Sequence, residues 1–273
     1  MRSARLLAVT VLLAVVLAMA MNEPAHATVA TITPSNADTT IDYIVSNNYG
    51  AATTIGVYSD VSSPFIRRFL VKFDLSSIPP GSTINTASIQ LFITSHQGGF
   101  GWDVGRTYTA NRVTTGWVEG TLNGVPPPPP GANWNTVDGT TNWGTAGGDF
   151  TSAGAASQTV HPYLPWPDSM IWDVTAIVKA WIEGGQPNYG FLIKDNAEDG
   201  AGTGTNFASR EWTDPSLRPI LTVDYTAAPP VTAPVGGEML PVDAFRLVAP
   251  WLAVIAAVGC IGTAVVVAKK LRA

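Results

Sequence analysis

Four aromatic side chains in loops are the first candidates for binding a ligand. All four lie in stretches rich in glycine and proline: Trp102, Trp143, Tyr163 and Trp166. A pyranose ring offers flat C–H faces that stack on a large aromatic ring, and its hydroxyl groups hydrogen-bond to polar neighbours. We therefore predict that these residues form platforms for sugar rings. Simple packing within the loops is the alternative interpretation.

Acidic residues offer a second kind of chemistry, that of a glycosidase, which cleaves its substrate with a pair of carboxylates. The candidates for such a pair are Glu119 and Glu211, with Asp149 or Asp173. Nothing in their spacing brings any two to a working distance, and Glu211 beside Arg210 is more simply an ion pair. We therefore predict that the protein is not an enzyme.

Two histidines, His96 and His161, stand apart from any serine–aspartate or metal-ligand pattern. Nucleophilic catalysis and zinc binding both need such partners. The sequence therefore favours ordinary surface histidines at both positions.

Calcium is the one cofactor that the sequence suggests, in a structural role. It takes oxygen ligands from loops, and the stretch 195–200, DNAEDG, resembles the opening of an EF-hand. An alanine stands at one ligand position, however, and no bidentate glutamate follows at the right distance. The predicted ligands are Asp195 and Asp199, with Asp38 and Asp42 as the alternative pair.

The charge balance argues against one class of partner. Between residues 28 and 244 there are 9 Lys and Arg against 19 Asp and Glu, a net charge of −10. Nucleic-acid binding needs clustered basic residues, so we predict no nucleic-acid partner. The single cysteine, Cys260, allows no disulfide within the chain, so a packed core or a metal must hold the domain together.

The elements that would position these residues are mostly strands. Residues 66–93 alternate between apolar and polar side chains on both sides of Pro79-Pro80-Gly81, which predicts two strands around a turn. Each strand would bury one face, with Phe69 and Val71 on the buried face of the first. The many short strands and the 26 glycines and 21 prolines favour an all-β, jelly-roll-like β-sandwich with this hairpin as its spine.

Two segments depart from this strand pattern. Residues 114–169 are irregular and include five consecutive prolines, and a long irregular stretch is uncommon in a compact domain unless it is functional. Residues 173–183 repeat apolar side chains at helical spacing, which predicts one short helix that Asp173 can cap.

Both ends of the chain read as signals outside the folded domain, which spans residues 28–225. Residues 1–27 combine a basic start, an apolar run and an Ala-His-Ala cleavage pattern, as a secretory signal peptide does. Residues 247–268 carry no charge and are long enough for a transmembrane helix.

The rest of the C-terminal region sets the predicted orientation. Residues 269–273 form a basic, cytoplasmic tail, which places the domain outside the membrane. Residues 226–246 form a Pro/Gly linker whose PVGGE motif resembles prokaryotic surface-sorting tails. The prediction is an extracytoplasmic, cell-surface protein held by one membrane span, or a secreted protein if the tail is processed.

Several sequence blocks occur in an order typical of one family. They include FDLSSIP (73–79), WVEG (117–120), ANWNTVDGTTNW (132–143), DVTAIVKAW (173–181) and NYGFLIK (188–194). With the signature over 67–93, they make residues 30–225 resemble the DNRLRE domain, also called carbohydrate-binding module family 96. The resemblance implies a secreted β-sandwich of carbohydrate-binding type, with Trp117 and Trp134 in structural roles. The prolines at 126–130 depart from the family's usual spacing.

Taken together, these features predict a non-catalytic, cell-surface-anchored carbohydrate-binding module. Its partners would be a polysaccharide or cell-surface glycan, recognised through loop aromatics, and the membrane, reached through the C-terminal helix. A structural surface-layer, matrix or adhesion protein is the alternative. A polysaccharide hydrolase or lyase is the third hypothesis.

Overall fold

The computed structural model describes residues 26–228, apart from residues 45, 64, 99–100 and 128–129. They form eleven strands, one α-helix and a short 3-10 helix at Pro215–Leu217. The strands are β1 (Ala27–Ile32), β2 (Ala37–Asp42), β3 (Thr54–Asp60), β4 (Phe65–Lys72), β5 (Thr83–Gln97), β6 (Thr107–Val113), β7 (Phe150–Thr159), β8 (Asp168–Asp173), β9 (Phe191–Asp195), β10 (Ala201–Ala208) and β11 (Ile220–Thr226). The helix is α1 (Thr175–Ile182).

These strands join into one curled antiparallel sheet. Its order is β1-β11-β5-β10-β3-β4-β9-β6-β7, with β2 paired to β4 and β8 paired to β5. Strand β10 pairs with both β3 and β5, so it links the two halves of the sheet. The all-β class with one short helix is therefore confirmed for the described residues.

The predicted hairpin between β4 and β5 is wrong. Strand β4 pairs with β2, β3 and β9, whereas β5 pairs with β8, β10 and β11. Residues 73–82 separate the two strands, a longer link than the two to five residues typical of a hairpin. Alternation of side chains reports which face of a strand is buried but not which strand lies beside it.

The main core is made by the apolar face of most strands together with α1. Phe69 and Val71 from β4 pack in the same cluster as Ile89 and Leu91 from β5. The faces predicted for both strands are therefore confirmed, although the strands are not neighbours. Trp172 also lies in this core, fully buried, and donates its indole N–H to Tyr108 O at 2.9 Å.

Strand β4 buries its second face as well, contrary to prediction. Leu70 is fully buried and pairs with Leu192 of β9 in a second cluster. Residues from the segment 114–149 cover these two side chains. The second cluster comprises Ile41, Leu70, Val113, Ala132, Trp134, Val137, Trp143 and Leu192.

The segment 114–149 thus forms a lid over the second cluster. The buried Asn48 anchors this lid. Asn48 Nδ2 donates to Glu119 O at 2.6 Å and to Ala132 O at 3.0 Å. Its Oδ1 accepts from the backbone N–H groups of Gly50 and Leu122. Because one side chain satisfies four backbone groups, the segment keeps a defined shape without regular structure.

Two elements differ from prediction in their bounds. Strand β7 lies inside the stretch predicted to be irregular, and it carries mainly small and polar residues that give no alternating signal. Helix α1 begins two residues later than predicted, with Asp173 Oδ1 accepting from Thr175 N at 3.0 Å. The helix itself is confirmed, and it buries Trp181 in the main core.

Within the described part of the chain, no helix is long and apolar enough to cross a membrane. The predicted span 247–268 and the predicted tail 269–273 lie outside the described residues, as do almost all of the predicted signal peptide and linker.

Candidate functional site

Two cavities with exposed tryptophans lie at the loops that follow β5 and precede β8. The Trp166 pocket has a volume of about 220 Å³. Its indole is 56% exposed, which is unusual for so large an apolar side chain. The pocket is lined by Ile93, Thr94, Ser95, His96, Tyr163, Leu164, Trp166 and Asp168.

The second cavity, the Trp102 groove, is larger, at about 470 Å³. Trp102 is 61% exposed and rests beside Gly98, whose φ of +91° favours glycine. A Cβ at Gly98 would lie 2.0 Å from Gly202 O and 3.3 Å from the Trp102 ring, so the close approach of this loop requires glycine. The groove is lined by Trp102, Val104, Gly105, Arg106, Thr107, Asp195, Asn196, Ala197 and Asp199.

A buried carboxylate ties together the walls of the two cavities. Asp103 is fully buried and accepts from Tyr163 Oη at 2.7 Å and Thr205 Oγ1 at 2.7 Å. His96 Nδ1 lies 2.5 Å from Asp103 Oδ2, and the His96 ring stacks on Tyr163 with centroids 3.7 Å apart. Asp103 and His96 therefore hold Tyr163 in place as a wall of the Trp166 pocket.

His96 is thus not the isolated surface residue that the sequence suggested. Its ring is largely covered and positions Tyr163, because it contacts both that ring and Asp103. His161 is closer to expectation in exposure, but both of its ring nitrogens face acceptors, Pro162 O at 2.9 Å and Ser169 O at 3.3 Å. These two carbonyls favour the doubly protonated ring and raise the pKa of His161.

Two buried polar atoms of the Trp166 pocket lack a hydrogen bond. They are Thr94 Oγ1 and Asp168 Oδ1. Asp168 Oδ2 accepts from Leu164 N at 3.2 Å, while Oδ1 lies 3.4 Å from His161 Nε2, with which it forms an ion pair when that ring is protonated. Buried polar atoms in proteins are nearly always satisfied, so these two atoms are candidates for hydrogen bonds to a ligand.

Trp143 does not belong to this site and is corrected here. It is 5% exposed, packs in the second cluster and donates its indole N–H to Asn133 O at 2.9 Å. Leu70 and Leu192 form an apolar surface beneath the lid, and Trp143 points inward because its large ring shields that surface from water. Trp134 lies in the same cluster, and Trp117 packs against it and donates to Tyr189 O, so both are structural as predicted.

The predicted calcium ligands Asp195 and Asp199 lie together in the Trp102 groove, but an arginine holds both. Arg106 Nε donates to Asp195 Oδ2 at 2.6 Å, and Arg106 Nη2 donates to Asp199 Oδ1 at 2.8 Å. A guanidinium already supplies the positive charge that a cation would bring. These two carboxylates therefore do not fit a calcium site. Asp42, from the alternative pair, is likewise held by Arg67 Nε at 2.9 Å.

Three other carboxylates do come together, on the side of the domain that the lid contacts. Oxygen atoms of Asp38, Glu119 and Glu211 lie within 4.8 Å of one another. Such a set of hard oxygen donors is of the kind that calcium takes. Calcium stays a prediction, and Arg210 pairs with the two glutamates of this cluster as Arg106 pairs with Asp195 and Asp199.

The same cluster contains the two glutamates considered as a glycosidase pair. Arg210 occupies it, donating from Nη1 to Glu119 Oε2 at 2.7 Å and from its backbone N to Asp38 Oδ2 at 2.9 Å. The second Glu119 oxygen accepts from Asp38 N at 2.7 Å. Glu211 Oε1 lies 3.6 Å from Arg210 Nε, which confirms the ion pair predicted between these neighbours.

Burial shapes the protonation of this cluster. Loss of water around Asp38, and then the nearby Glu211 and Glu119, raise its pKa to about 7 despite a hydrogen bond from Ser35. Burial likewise raises the pKa of Glu119 and of Glu211. The other two glycosidase candidates are held elsewhere: Asp149 accepts from Gly144 N and Thr145 N, and Asp173 from Thr175.

Sequence reasoning brought three of the site residues to light and missed the polar ones. Trp102, Tyr163 and Trp166 line the two cavities, as their loop positions suggested. Asp103 and Asp168 escaped notice because a single aspartate in a loop has no spacing signal. A third polar residue, Thr94, does have a signal, because the alternation of β5 places its side chain on the face opposite to that of Ile93.

Comparison with known proteins agrees with the sequence blocks. No curated protein matches the chain. Residues 28–143 match the model of a family described as Carbohydrate-binding module family 96, a stretch that runs from β1 into the lid and includes Trp102. This match supports a carbohydrate-binding module family 96 domain within residues 28–143.

Proposed function

We propose that the protein is a non-catalytic module that binds a polysaccharide on the exposed indoles of Trp102 and Trp166. The family assignment supports a carbohydrate-binding role for the domain. The location of binding is inferred from the two cavities. A stacked sugar ring would cover apolar surface that the protein otherwise leaves in water, at about 25 cal/mol per Å².

The observation that carries the proposal is the pairing of an exposed indole with unsatisfied polar atoms in one pocket. Trp166 offers the stacking face, while Thr94 Oγ1 and Asp168 Oδ1 lack hydrogen-bond partners. Sugar hydroxyl groups can both donate and accept, so a ring seated on Trp166 would satisfy both atoms. Asp103 and His96 keep the Tyr163 wall rigid, which lowers the entropy cost of binding.

The test is a polysaccharide and glycan array probed with the purified full-length chain, with calcium and with chelator. We expect binding that falls about fivefold or more in Trp166→Ala and in Trp102→Ala, taking as a guide the roughly 1–3 kcal/mol that stacking of a nucleic-acid base on one aromatic ring contributes. Trp166→Phe should keep most of the affinity because it keeps an aromatic face. Tyr43→Ala is the control, because it removes a half-exposed ring that lines neither cavity.

Other outcomes would redirect the proposal. Binding that survives both tryptophan substitutions would move the site elsewhere on the domain. No glycan binding by protein shown to be folded would favour a structural surface-layer or adhesion role. If the wild type releases products from the polysaccharide and Glu119→Gln does not, the protein is a polysaccharide hydrolase or lyase rather than a binding module. Loss of binding in chelator would show that calcium shapes the site.

Surface attachment forms the second half of the proposal. It is supported by the apolar run 247–268 with its basic tail, and by the signal-peptide pattern of residues 1–27. The anchored domain would then hold the cell against a polysaccharide. If the tail is processed, the secreted protein would itself bind the polysaccharide. Protease added to intact expressing cells should remove the β domain and leave cytoplasmic proteins uncut. Fractionation of the treated cells measures both.

A further inference from the structure

We infer that Arg68 and Glu198 are positioning residues of the Trp102 groove and together hold one of its walls in place. This role rests on the proposed function, because it concerns a groove to which carbohydrate binding is assigned there. It follows from the backbone of the wall, from the bonds of one side chain in it, and from the contacts of the Arg68 guanidinium.

The wall consists of the end of β9 and the loop that joins it to β10. Four of its residues line the groove: Asp195, Asn196, Ala197 and Asp199. Glu198 is the exception within this run, because its side chain is largely buried and its carboxylate contacts Arg68 of β4. The loop is therefore held by a side chain that lies outside the lining of the groove.

Glu198 has a backbone conformation that strains a residue with a Cβ. Its φ is +51°, and in the part of the chain that the structure describes it is the one residue other than glycine with a positive φ. Glycine or asparagine would adopt this left-handed conformation at a lower cost in free energy. Strained residues of this kind persist where the surrounding bonds over-determine them, as at sites that clamp a ligand. The bonds of the Glu198 side chain are therefore what keeps the loop in this shape.

Arg68 meets the Glu198 carboxylate with two nitrogens of its guanidinium. Nε donates to Oε1 at 2.7 Å, and Nη2 donates to Oε2 at 2.9 Å. Both side chains are largely removed from water, with 13% of Arg68 and 15% of Glu198 exposed. Two parallel bonds fix the direction of the carboxylate as well as its distance, whereas a lysine would supply a single mobile charge. The pair therefore fixes the orientation of Glu198 and, through it, the loop.

The Arg68 guanidinium is itself held by the lid. Nη1 donates to Gly147 O at 2.8 Å, and Cζ lies 4.8 Å from the centre of the Trp134 ring, within the range of a cation–π contact. A Cβ at Gly147 would lie 2.7 Å from Arg68 Nη1 and 2.8 Å from the Trp134 ring, so this close approach needs glycine. All three nitrogens of the guanidinium thus donate to a defined acceptor, which leaves Arg68 a single orientation.

Arg106 also contacts this loop, but less firmly. It donates from Nη2 to Asp199 Oδ1 at 2.8 Å, and Asp199 is 67% exposed. An ion pair open to water contributes little, whereas a bidentate pair largely removed from water is among the strong hydrogen-bonded pairs. We therefore expect the conformation of residues 196–199 to depend mainly on Arg68 and Glu198.

The first test needs no glycan. Hydrogen exchange followed by mass spectrometry, on the purified full-length chain, measures how often the loop opens in peptides that cover residues 195–201. Glu198→Gln removes the carboxylate charge and one of its two acceptors, so exchange there should rise about tenfold or more, the scale of hydrogen bonds to a charged group. Arg218→Lys is the matched control and should leave the loop as it was, because Arg218 donates to Trp212 O and lines neither cavity.

A double variant separates positioning from stability. Arg68→Met with Glu198→Met keeps the bulk of both side chains and leaves neither charge of the pair buried alone, so the midpoint of urea unfolding should stay close to that of the wild type. The direction that two bonds give to the loop is nevertheless lost, so exchange in residues 195–201 should still rise. Arg68→Lys keeps the charge without the fork and should loosen the loop in the same way.

The second test takes these variants to the polysaccharide and glycan array. The double variant should bind the polysaccharide that the wild type binds about two- to tenfold more weakly, because a mobile wall must be ordered on binding. In the Trp102→Ala background the same two substitutions should have little further effect, since the groove no longer holds the sugar. A purely structural role of the pair would not produce this dependence on Trp102.

The outcomes separate this inference from the proposed function. Wild-type exchange of residues 195–201 in the double variant would overturn the inference, whatever the array shows. A loosened loop with unchanged glycan affinity would also overturn it, and the proposed function would stand if Trp102→Ala still weakens binding. An absence of glycan binding by folded wild-type protein would overturn the proposed function, and with it the part of this wall in binding, even where the exchange result shows that Arg68 and Glu198 hold the loop.

Discussion

Replacing Asp38 with asparagine should make the domain more stable at neutral pH. Asp38 lies on β2, is 1% exposed, and has a pKa raised to about 7, chiefly by burial. In the unfolded chain the same group ionises near its ordinary value of 3.8. Folding at pH 8 must therefore place a negative charge in a dry site beside Glu211 and Glu119, which disfavours the native state.

The size of this effect follows from the difference in pKa. About three units at about 1.4 kcal/mol each give roughly 4 kcal/mol of destabilisation above pH 7. The hydrogen bonds to the Asp38 carboxylate from Ser35 Oγ at 2.7 Å and from Arg210 N at 2.9 Å end on the same oxygen. An asparagine carbonyl can accept both, and its amide N–H₂ can then face the neighbouring glutamates. We expect a net gain of about 2–4 kcal/mol at pH 8.

The sign with pH distinguishes this explanation from a general change in packing. Between about pH 4 and pH 7 native Asp38 holds a proton that the unfolded chain has released. The free energy of unfolding of the wild type should therefore fall as pH rises through this window and level off above it. The advantage of Asp38→Asn should grow over the same window and be small at pH 4.

Urea unfolding followed by tryptophan fluorescence, measured between pH 4 and pH 8, is the assay. Asp42→Asn is the matched control, because Asp42 is equally buried on the same strand but is paired with Arg67. That control should lose stability, since it leaves a guanidinium without its carboxylate. The reasoning is refuted if Asp38→Asn is less stable than wild type at pH 8, or if its stability keeps the wild-type dependence on pH.

Three further outcomes follow from the packing and the hydrogen bonds. Asn48→Ala should lower the free energy of unfolding by about 3 kcal/mol or more and open the lid to proteolysis, because four backbone groups lose their partner. Trp143→Ala should cost about 3–5 kcal/mol in a urea titration yet leave glycan affinity unchanged in the protein that remains folded. His161 should titrate above its ordinary pKa in an NMR experiment, because Pro162 O and Ser169 O hold its protonated ring, with Asp168 nearby. The stability that His161 contributes is present at low pH and is lost as pH rises through its pKa in the folded protein. Asp168→Asn should lower this pKa, because it removes a negative charge near the ring.

The sequence predicted which face of each strand is buried better than it predicted which strands pair. Alternation identified the inward side chains of β4 and β5, since each side chain's face follows from local geometry. It could not show that the two strands lie apart, because pairing depends on how the remaining strands fill the sheet. Strand β7 escaped for the opposite reason: its small residues at the end of the sheet order leave no pattern to read.

For the candidate site, the sequence indicated the aromatic residues but not the polar side chains that surround them. Trp102, Tyr163 and Trp166 line the two cavities, as their positions in glycine- and proline-rich loops suggested, and their part in sugar binding stays a prediction. The polar partners are set by contacts across long stretches of sequence, such as Asp103 with Thr205. The pairing of Asp195 and Asp199 with Arg106 has the same origin, since Arg106 is about ninety residues away in the sequence.

The contrast between Trp143 and Trp166 shows what decides whether a loop tryptophan is buried or exposed. Both lie in stretches rich in glycine, proline and small polar residues, so composition does not separate them. The difference is the surface beneath the loop. Leu70 and Leu192 pair on neighbouring strands and face away from the main core, so an apolar patch there must be covered, and Trp134 and Trp143 cover it.

The pocket that Trp166 lines, by contrast, contains the hydroxyl of Thr94 and the carboxylate of Asp168, and an indole ring cannot satisfy both. An apolar residue on the second face of a strand therefore predicts a buried loop tryptophan, and a polar residue there predicts an exposed one. Leu70→Thr tests this rule: it should weaken the lid, raise the exposure of Trp143 to a fluorescence quencher, and leave Trp166 as it was. A quenching pattern unchanged at both tryptophans would show that the loop's own bonds, rather than the surface beneath it, hold Trp143 inside.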